Sequence, residues 1–286
     1  MSKLLDGKAA SAQIREELQG EVQALGREVT LAVILVGNDP ASAIYVRNKH
    51  RACEQVGIRS LVIELPENTS QDALLEQIRH LNGRDDVDGI LVQLPLPRGV
   101  DVDLVMQSIR PEKDVDGFHP FNVGALSIGR PGLLPCTPAG IIELLKRNDI
   151  ALAGKECVVV GRSNIVGKPV AQLLSRENAT VTLCHSGTLQ LPEVCQRADI
   201  VIVAVGRPKY IDSRFIREGA VVVDVGIHRD EHGHLCGDVD FASVRDKTSA
   251  ITPVPGGVGP MTIAMLLKNC VTAAAMRDAM ACQQAG

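Results

Sequence analysis

Gly161, Ser163 and Gly167 punctuate the run CVVVGRSNIVGKPVAQLL, Cys157 to Leu174, and their spacing suits an anion. Cys157–Val160 reads as a buried strand and Gly161–Gly167 as a glycine-bounded turn. Val166–Leu174 reads as a helix start, with Pro169 in the first turn, where a missing N–H costs little. Such a turn aims backbone N–H groups and the positive helix end at a phosphate. The pattern here is G-x-S-x-x-x-G, which departs from the dinucleotide fingerprint G-x-G-x-x-G. A second strand, Thr180–Cys184, runs into His185 and Ser186. NAD-selective sites place an Asp or Glu near that point to hold the ribose 2′-hydroxyl. No acid stands there, and Arg162 and Ser186 could receive a 2′-phosphate, so the expected cofactor is NADP. A strand–turn–helix with no ligand would share the pattern.

Tyr45 and Lys49 lie four residues apart, on one face of a helix. An amine that loses hydration beside an aromatic ring becomes a proton carrier near neutrality. A packed Tyr next to a surface Lys would look the same. Gln93 ends the strand-like run GILVQLPLP, where open α/β sheets put ligand contacts, or where a loop satisfies an edge amide. Asp114 and Asp116, in DVDG, could hold a metal or an amide-bearing ligand, or simply make a turn. Pro255–Thr262, PGGVGPMT, combines glycines that allow close backbone approach with prolines that stiffen a loop. His228, His232, His234 and Cys236 invite a metal, but acids and a glycine among them favour a solvated hairpin, and no metal is expected.

These residues need a scaffold, and the chain predicts one. At 286 residues it suggests two domains. A net charge of −4 speaks against nucleic-acid binding. No apolar run approaches bilayer length, and MSKLLDGKAA lacks a signal-peptide core, so neither membrane nor export is expected. The eight cysteines are scattered without C-x-x-C and read as reduced, mostly buried thiols of a cytoplasmic protein. Trp is absent and aromatics are few, so the core is aliphatic. Strands over 31–36, 61–65 and 90–94 alternate with helices over 8–25, 42–56, 71–81 and 102–109. The polar stretch Pro111–Pro135 reads as a domain joint, and Thr137 as the N-cap of a helix over 139–147. Strands over 200–205 and 221–225, a polar hairpin over 228–240 and a final apolar helix from Met261 to about Cys282 follow. This alternation implies α/β architecture with mostly parallel sheets.

Taken in order, VGNDPASAIYVRNKHRACEQVGI, VDGILVQLPLP, KDVDGFHPFNVG, PCTPAG, VVVGRSNIVGKPVA, GDVDF and PVPGGVGPMT resemble the bifunctional methylenetetrahydrofolate dehydrogenase/cyclohydrolase family. The stretches cover nearly the whole chain, with departures at Ala73 and Arg84. The resemblance implies two α/β domains with a cleft between them that holds the folate, the second a Rossmann-like doubly wound parallel sheet. Residues 1–120, with a returning helix 262–282, would form the folate domain, and 121–261 the NADP domain. It implies that Tyr45 stacks on the folate's aryl ring, Lys49 is the central catalytic residue, Gln93 holds and tunes it, and Asp116 bonds the pterin. Pro255 and Gly256 would close over substrate. NADP would contact Gly161, Arg162, Ser163, His185, Ser186 and Ile227. The implied reaction oxidises 5,10-methylenetetrahydrofolate, then hydrolyses the product to 10-formyltetrahydrofolate. A homodimer acting in one-carbon metabolism and purine biosynthesis is also implied. Alternatives are a dehydrogenase lacking the hydrolase, an NADP enzyme resembling shikimate dehydrogenase, and a nucleotide-binding regulator without turnover.

Overall fold

A computed structural model describes residues 2–285. The chain opens with β1 (Lys3–Leu4), α1 (Gly7–Ala24), β2 (Val29–Val36), α2 (Pro40–Val56), β3 (Ile58–Leu65), α3 (Gln71–Asn82) and β4 (Gly89–Val92). Then come α4 (Val102–Ser108), α5 (Pro120–Ser127), α6 (Cys136–Arg147), β5 (Glu156–Val160), α7 (Gly167–Arg176), β6 (Thr180–Cys184) and α8 (Leu191–Cys195). It ends with β7 (Ile200–Val203), β8 (Val221–Asp224), β9 (His228–Arg229), β10 (Leu235–Cys236), α9 (Phe241–Val244), β11 (Ala250–Ile251) and α10 (Val258–Ala285).

Two units form. One comprises residues 13–136 and 263–286, the other 1–12 and 137–262. The first is built on a parallel sheet of order β3-β2-β4, with β2 paired along its full length to β3. All eight β2 residues are buried, as expected of a central strand covered on both faces. Ile34 and Ile90 on the sheet meet Ile78 and Leu81 of α3 and Val105 of α4. Each such side chain, fully buried, contributes about 1.5–3 kcal/mol. Ser70 caps α3 through the N–H of Ala73 (3.2 Å), so the departure at Ala73 leaves this helix start intact. The second unit is a parallel sheet of order β1-β11-β8-β7-β5-β6, with a core of Val158, Val201, Val222 and Ile251 among others.

Several expectations need correction. The first twelve residues belong with the second unit, because Lys3 and Leu4 pair in parallel with Ala250 and Ile251. The boundary expected at 120/121 lies instead at 136/137. Pro111–Pro135 is not a bare joint: it holds α5, started by Pro120 and capped by His119 Nδ1, which accepts from Phe121 N–H (3.0 Å). Thr137 is no N-cap, since α6 already includes it; its hydroxyl lies 2.9 Å from that of Thr262. The stretch Val258–Ala281 of α10 is long and apolar enough to span a bilayer (hydropathy 1.3), against the expectation that none is. It is a core helix, with Leu266, Leu267, Cys270 and Ala274 buried. Seven cysteines are free and buried; the side chain of Cys282 lies outside those described.

Gly89 starts β4 where a Cβ would come within 2.5 Å of Val115 Cγ1 and 3.3 Å of Cys270 Sγ. Gly89→Ala should therefore lower stability by about 1–3 kcal/mol through overpacking, read as a drop in thermal midpoint.

Candidate active site

In the first unit the strand order reverses at β2: the chain leaves it toward β3 and returns to pair β4 on the other side. A crevice opens at the carboxyl ends of strands on either side of such a reversal. α2 rises from this point. Asp39 caps it by accepting the Ser42 N–H (2.7 Å), and Gly57 ends it in a left-handed conformation. Ser42, Val46, Cys53 and Val56 form its buried stripe, and Lys49 lies along that stripe. One turn earlier, Tyr45 stands 41% exposed.

Gln93 follows β4 directly, its own N–H donating to Ile34 O (2.9 Å). Its Nε2 donates to Leu94 O (2.7 Å), which leaves Oε1 aimed at Lys49 Nζ, 3.0 Å away. The amide is thereby orientated, and the amine is held by an acceptor that carries no charge.

Asp114 and Asp116 have different settings. Asp114 is buried and accepts from His119 N–H (2.7 Å) and Asn122 Nδ2 (2.9 Å), so it is an internal tie of its own loop. Asp116 has no such pair of donors. Burial pushes its carboxyl up to about 6, with Asp114 adding to the rise, while Lys49 and a hydrogen bond with Cys136 oppose it. The backbone beneath it is pinned by Asn269, whose Nδ2 donates to Val115 O (2.8 Å) and Leu134 O (2.7 Å). Tyr45, Lys49, Gln93 and Asp116 thus belong to one unit, with Lys49 bonded to Gln93 and in electrostatic reach of Asp116.

In the second unit the reversal falls at β5, between β6 and β7. Gly161 leaves β5 at φ +125°, and a Cβ there would meet Ala204 O at 2.1 Å, so only glycine fits. Arg162 and Ser163 are exposed on the turn, and Ser163 Oγ accepts from Val166 N–H (3.2 Å) and Gly167 N–H (3.3 Å). Gly161 N–H donates to Cys184 O (2.9 Å), which brings the β6 exit alongside. There His185 folds back to accept from Gly187 N–H (3.1 Å), and Ser186 is exposed. A glycine-built exit, an exposed guanidinium and no carboxylate in the adjacent turn fit a nucleotide carrying an extra phosphate. Ile227 is half exposed past β8, which adjoins β7 and not β5. Pro255 and Gly256 lie in the turn between β11 and α10, where Gly256 O accepts from Lys8 N–H (3.2 Å). β9 and β10 form the hairpin; His228 turns inward to Asp238 (2.7 Å). Among the described residues no group of three or more His, Cys, Asp or Glu is arranged to hold a metal.

Two family models match this chain. The catalytic domain of tetrahydrofolate dehydrogenase/cyclohydrolase matches residues 5–116, and the NAD(P)-binding domain of the same family matches 135–278. The chain belongs to the tetrahydrofolate dehydrogenase/cyclohydrolase family. A bifunctional FolD protein from Lachnoclostridium phytofermentans is 62% identical, covering 95% of this chain and 97% of its own. The crystal structure of the bifunctional FolD enzyme from Campylobacter jejuni superposes with a TM-score of 0.95 at 54% identity, over 97% of this chain and all of that one. The Trypanosoma brucei enzyme, solved with NADP and an inhibitor, gives 0.91 at 40% identity, over 96% and 98% of the two chains.

Sequence reasoning missed several residues that order this family member's site. Cys136, read only as a buried thiol, donates to Val115 O (3.2 Å), and it acts to lower the pKa of Asp116. Asn269 was hidden inside an apolar helix. Asp224 and Asp238 tie the loops of the second unit; Asp224 ends the buried run VVVD and Asp238 lies in the stretch GDVDF, but neither was given a role. Burial raises Asp224 to about 6, against the opposing N–H groups of Val239, Asp238 and Gly226.

A carboxyl whose folded pKa lies above its unfolded value weakens the fold as pH climbs from the ordinary carboxylate range through the raised value. Asp116→Asn removes that burden, while Asp224 remains in both proteins. The variant should gain in melting temperature over the parent between pH 4 and pH 7, and lose the advantage below pH 4. Scanning calorimetry across this range checks the sign.

Proposed function

We propose that this chain oxidises 5,10-methylenetetrahydrofolate with NADP and hydrolyses the 5,10-methenyl product to 10-formyltetrahydrofolate. The observation that carries the reading is the 3.0 Å bond from Lys49 Nζ to Gln93 Oε1 at the sheet's reversal point, in a chain of this family. NADP, when bound, supplies the acceptor for a hydride. Its phosphates would suit the Gly161–Ser163 turn and its 2′-phosphate Arg162 and Ser186, with His185 beside them at the β6 exit and Ile227 farther along, past β8.

Hydride loss from the methylene bridge leaves a resonance-stabilised cation and requires orientation more than acid or base. Tyr45 offers an exposed ring for the aryl portion. Asp116, raised to about 6, is a carboxyl able to bond the amide-like edge of a pterin. The family resemblance assigns Pro255 and Gly256 a further contact with the substrate. Hydrolysis differs: water adds to the one-carbon bridge and a proton must pass to the departing ring nitrogen. Lys49 Nζ carries that proton, and Gln93 holds the amine without neutralising it. The cation on the substrate disfavours a second positive charge beside it, which favours release of the amine's proton.

The enzyme works as a cytoplasmic homodimer feeding one-carbon units toward purine synthesis. Reduced buried thiols support the compartment. The open edge strand β6, with Thr180, Thr182 and Leu183 exposed, supports pairing with a second copy.

Lys49→Met separates the two chemistries. Cyclohydrolase turnover should fall by about 10²-fold or more, while NADP-dependent oxidation persists within about tenfold of the parent. Methenyltetrahydrofolate decay and NADPH appearance, followed on one preparation, read both. Full hydrolysis in the variant would sink the assignment of Lys49. A parent that forms NADPH but never hydrolyses would make this a dehydrogenase alone.

A further inference from the structure

Asp238 touches neither site as described, yet it is the most heavily bonded carboxylate of the second unit. Its Oδ2 accepts from the N–H groups of Val205 (2.7 Å) and Gly206 (3.0 Å). Its Oδ1 accepts from Arg207 N–H (2.8 Å) and faces His228 Nε2 (2.7 Å). The side chain is wholly buried. Asp224 fixes it in turn, accepting from the N–H groups of Asp238 (2.9 Å) and Val239 (2.9 Å).

The three N–H groups belong to the segment that leaves β7. That segment faces the β5 exit closely enough that Ala204 O occupies the space a Cβ on Gly161 would need. It therefore forms the second wall of the crevice between β5 and β7, opposite the Gly161–Ser163 turn. A buried carboxylate is a costly filler, and an apolar side chain would occupy the volume with less desolvation. Only a carboxylate offers two oxygens that take four donors at once. Its presence makes sense where the path of the Val205–Arg207 backbone has to be fixed.

We propose that Asp238, braced by His228 and Asp224, is a positioning residue for the dehydrogenase half of the reaction: it sets the β7 exit loop as the far wall of the NADP site and has no part in hydrolysis. This rests on the NADP reading given above. Asp238→Asn places an N–H₂ among donors and should raise both the KM and the calorimetric Kd for NADP by about tenfold or more. The KM for methylenetetrahydrofolate, and hydrolysis of supplied methenyltetrahydrofolate, should stay within about twofold, since neither needs the β7 loop. His228→Ala removes one donor of four and should raise the same two NADP constants by about two- to fivefold. A merely structural role would depress both activities together, and that result, or an unchanged NADP Kd in both variants, overturns the proposal. Should Asp238→Asn fail to fold, His228→Ala alone decides by the same measurements. A parent without NADP affinity or cyclohydrolase turnover would instead defeat the underlying functional reading.

Discussion

β2 pairs in parallel with β3 on one side and β4 on the other, and that pairing constrains everything placed at its carboxyl end. A chain leaving a central strand must return by a helix to one flank and later to the other. The two crossovers part above the strand end and leave exposed backbone there. α2 begins at that parting and Gln93 ends the return strand, so the bond between Lys49 and Gln93 follows from the strand order. The second unit repeats the arrangement at β5, with β6 and β7 as the flanks. The residues assigned to proton transfer and to the nucleotide thus occupy equivalent positions on two separate sheets.

Holding such loops still requires polar groups inside apolar surroundings, and each is placed to satisfy backbone. Lys113 is buried, and its Nζ donates to the carbonyls of Leu81, Asn82 and Arg84, closing the end of α3. Burial, aided by Arg277 and Arg110, lowers its pKa. Asp88 accepts from Thr30 N–H (2.9 Å) and pairs with Arg27 and Arg277. Asp114 does the same for its own loop. These groups leave Asp116, two residues on, with a carboxyl free of backbone donors and so raised by burial. The contrast between the two aspartates of one DVDG segment is a difference of partners, not of residue type.

That contrast marks where sequence stops informing. Helical spacing puts Tyr45 and Lys49 on one face, but a packed Tyr beside a surface Lys shares that spacing, so their roles came from the family resemblance. Gln93 was legible because it ends an apolar strand. Gly161 was legible because its type states its conformation. Asp238 was visible only as part of the stretch GDVDF, without a role, since that role depends on N–H groups 31 to 33 positions away. Cys136 and Asn269 were invisible for the same reason, as their partners Val115 and Leu134 come from another part of the chain. β1 escaped because two residues carry no periodicity, and its partner lies near the opposite end of the sequence. α5 was hidden in the stretch Pro111–Pro135, read as a domain joint for its polar, glycine-containing composition, although a proline in the first turn readily starts a helix.

The aromatic content bears on the site from another direction. With no Trp, two Tyr and four Phe, the chain builds its cores from aliphatic side chains. Aromatic rings bury the most surface per residue, so a chain this poor in them gains by packing each one. Tyr210 follows that rule, lying 6.1 Å from Phe215 and beneath the Arg207 guanidinium. Phe121, 65% exposed at the start of α5, and Tyr45, 41% exposed on the helix turn before Lys49, both depart from it. Stability gives no reason for the placement of Tyr45. A planar ligand resting on its ring would restore the burial that the fold alone withholds, and it would set that ligand beside the amine held by Gln93.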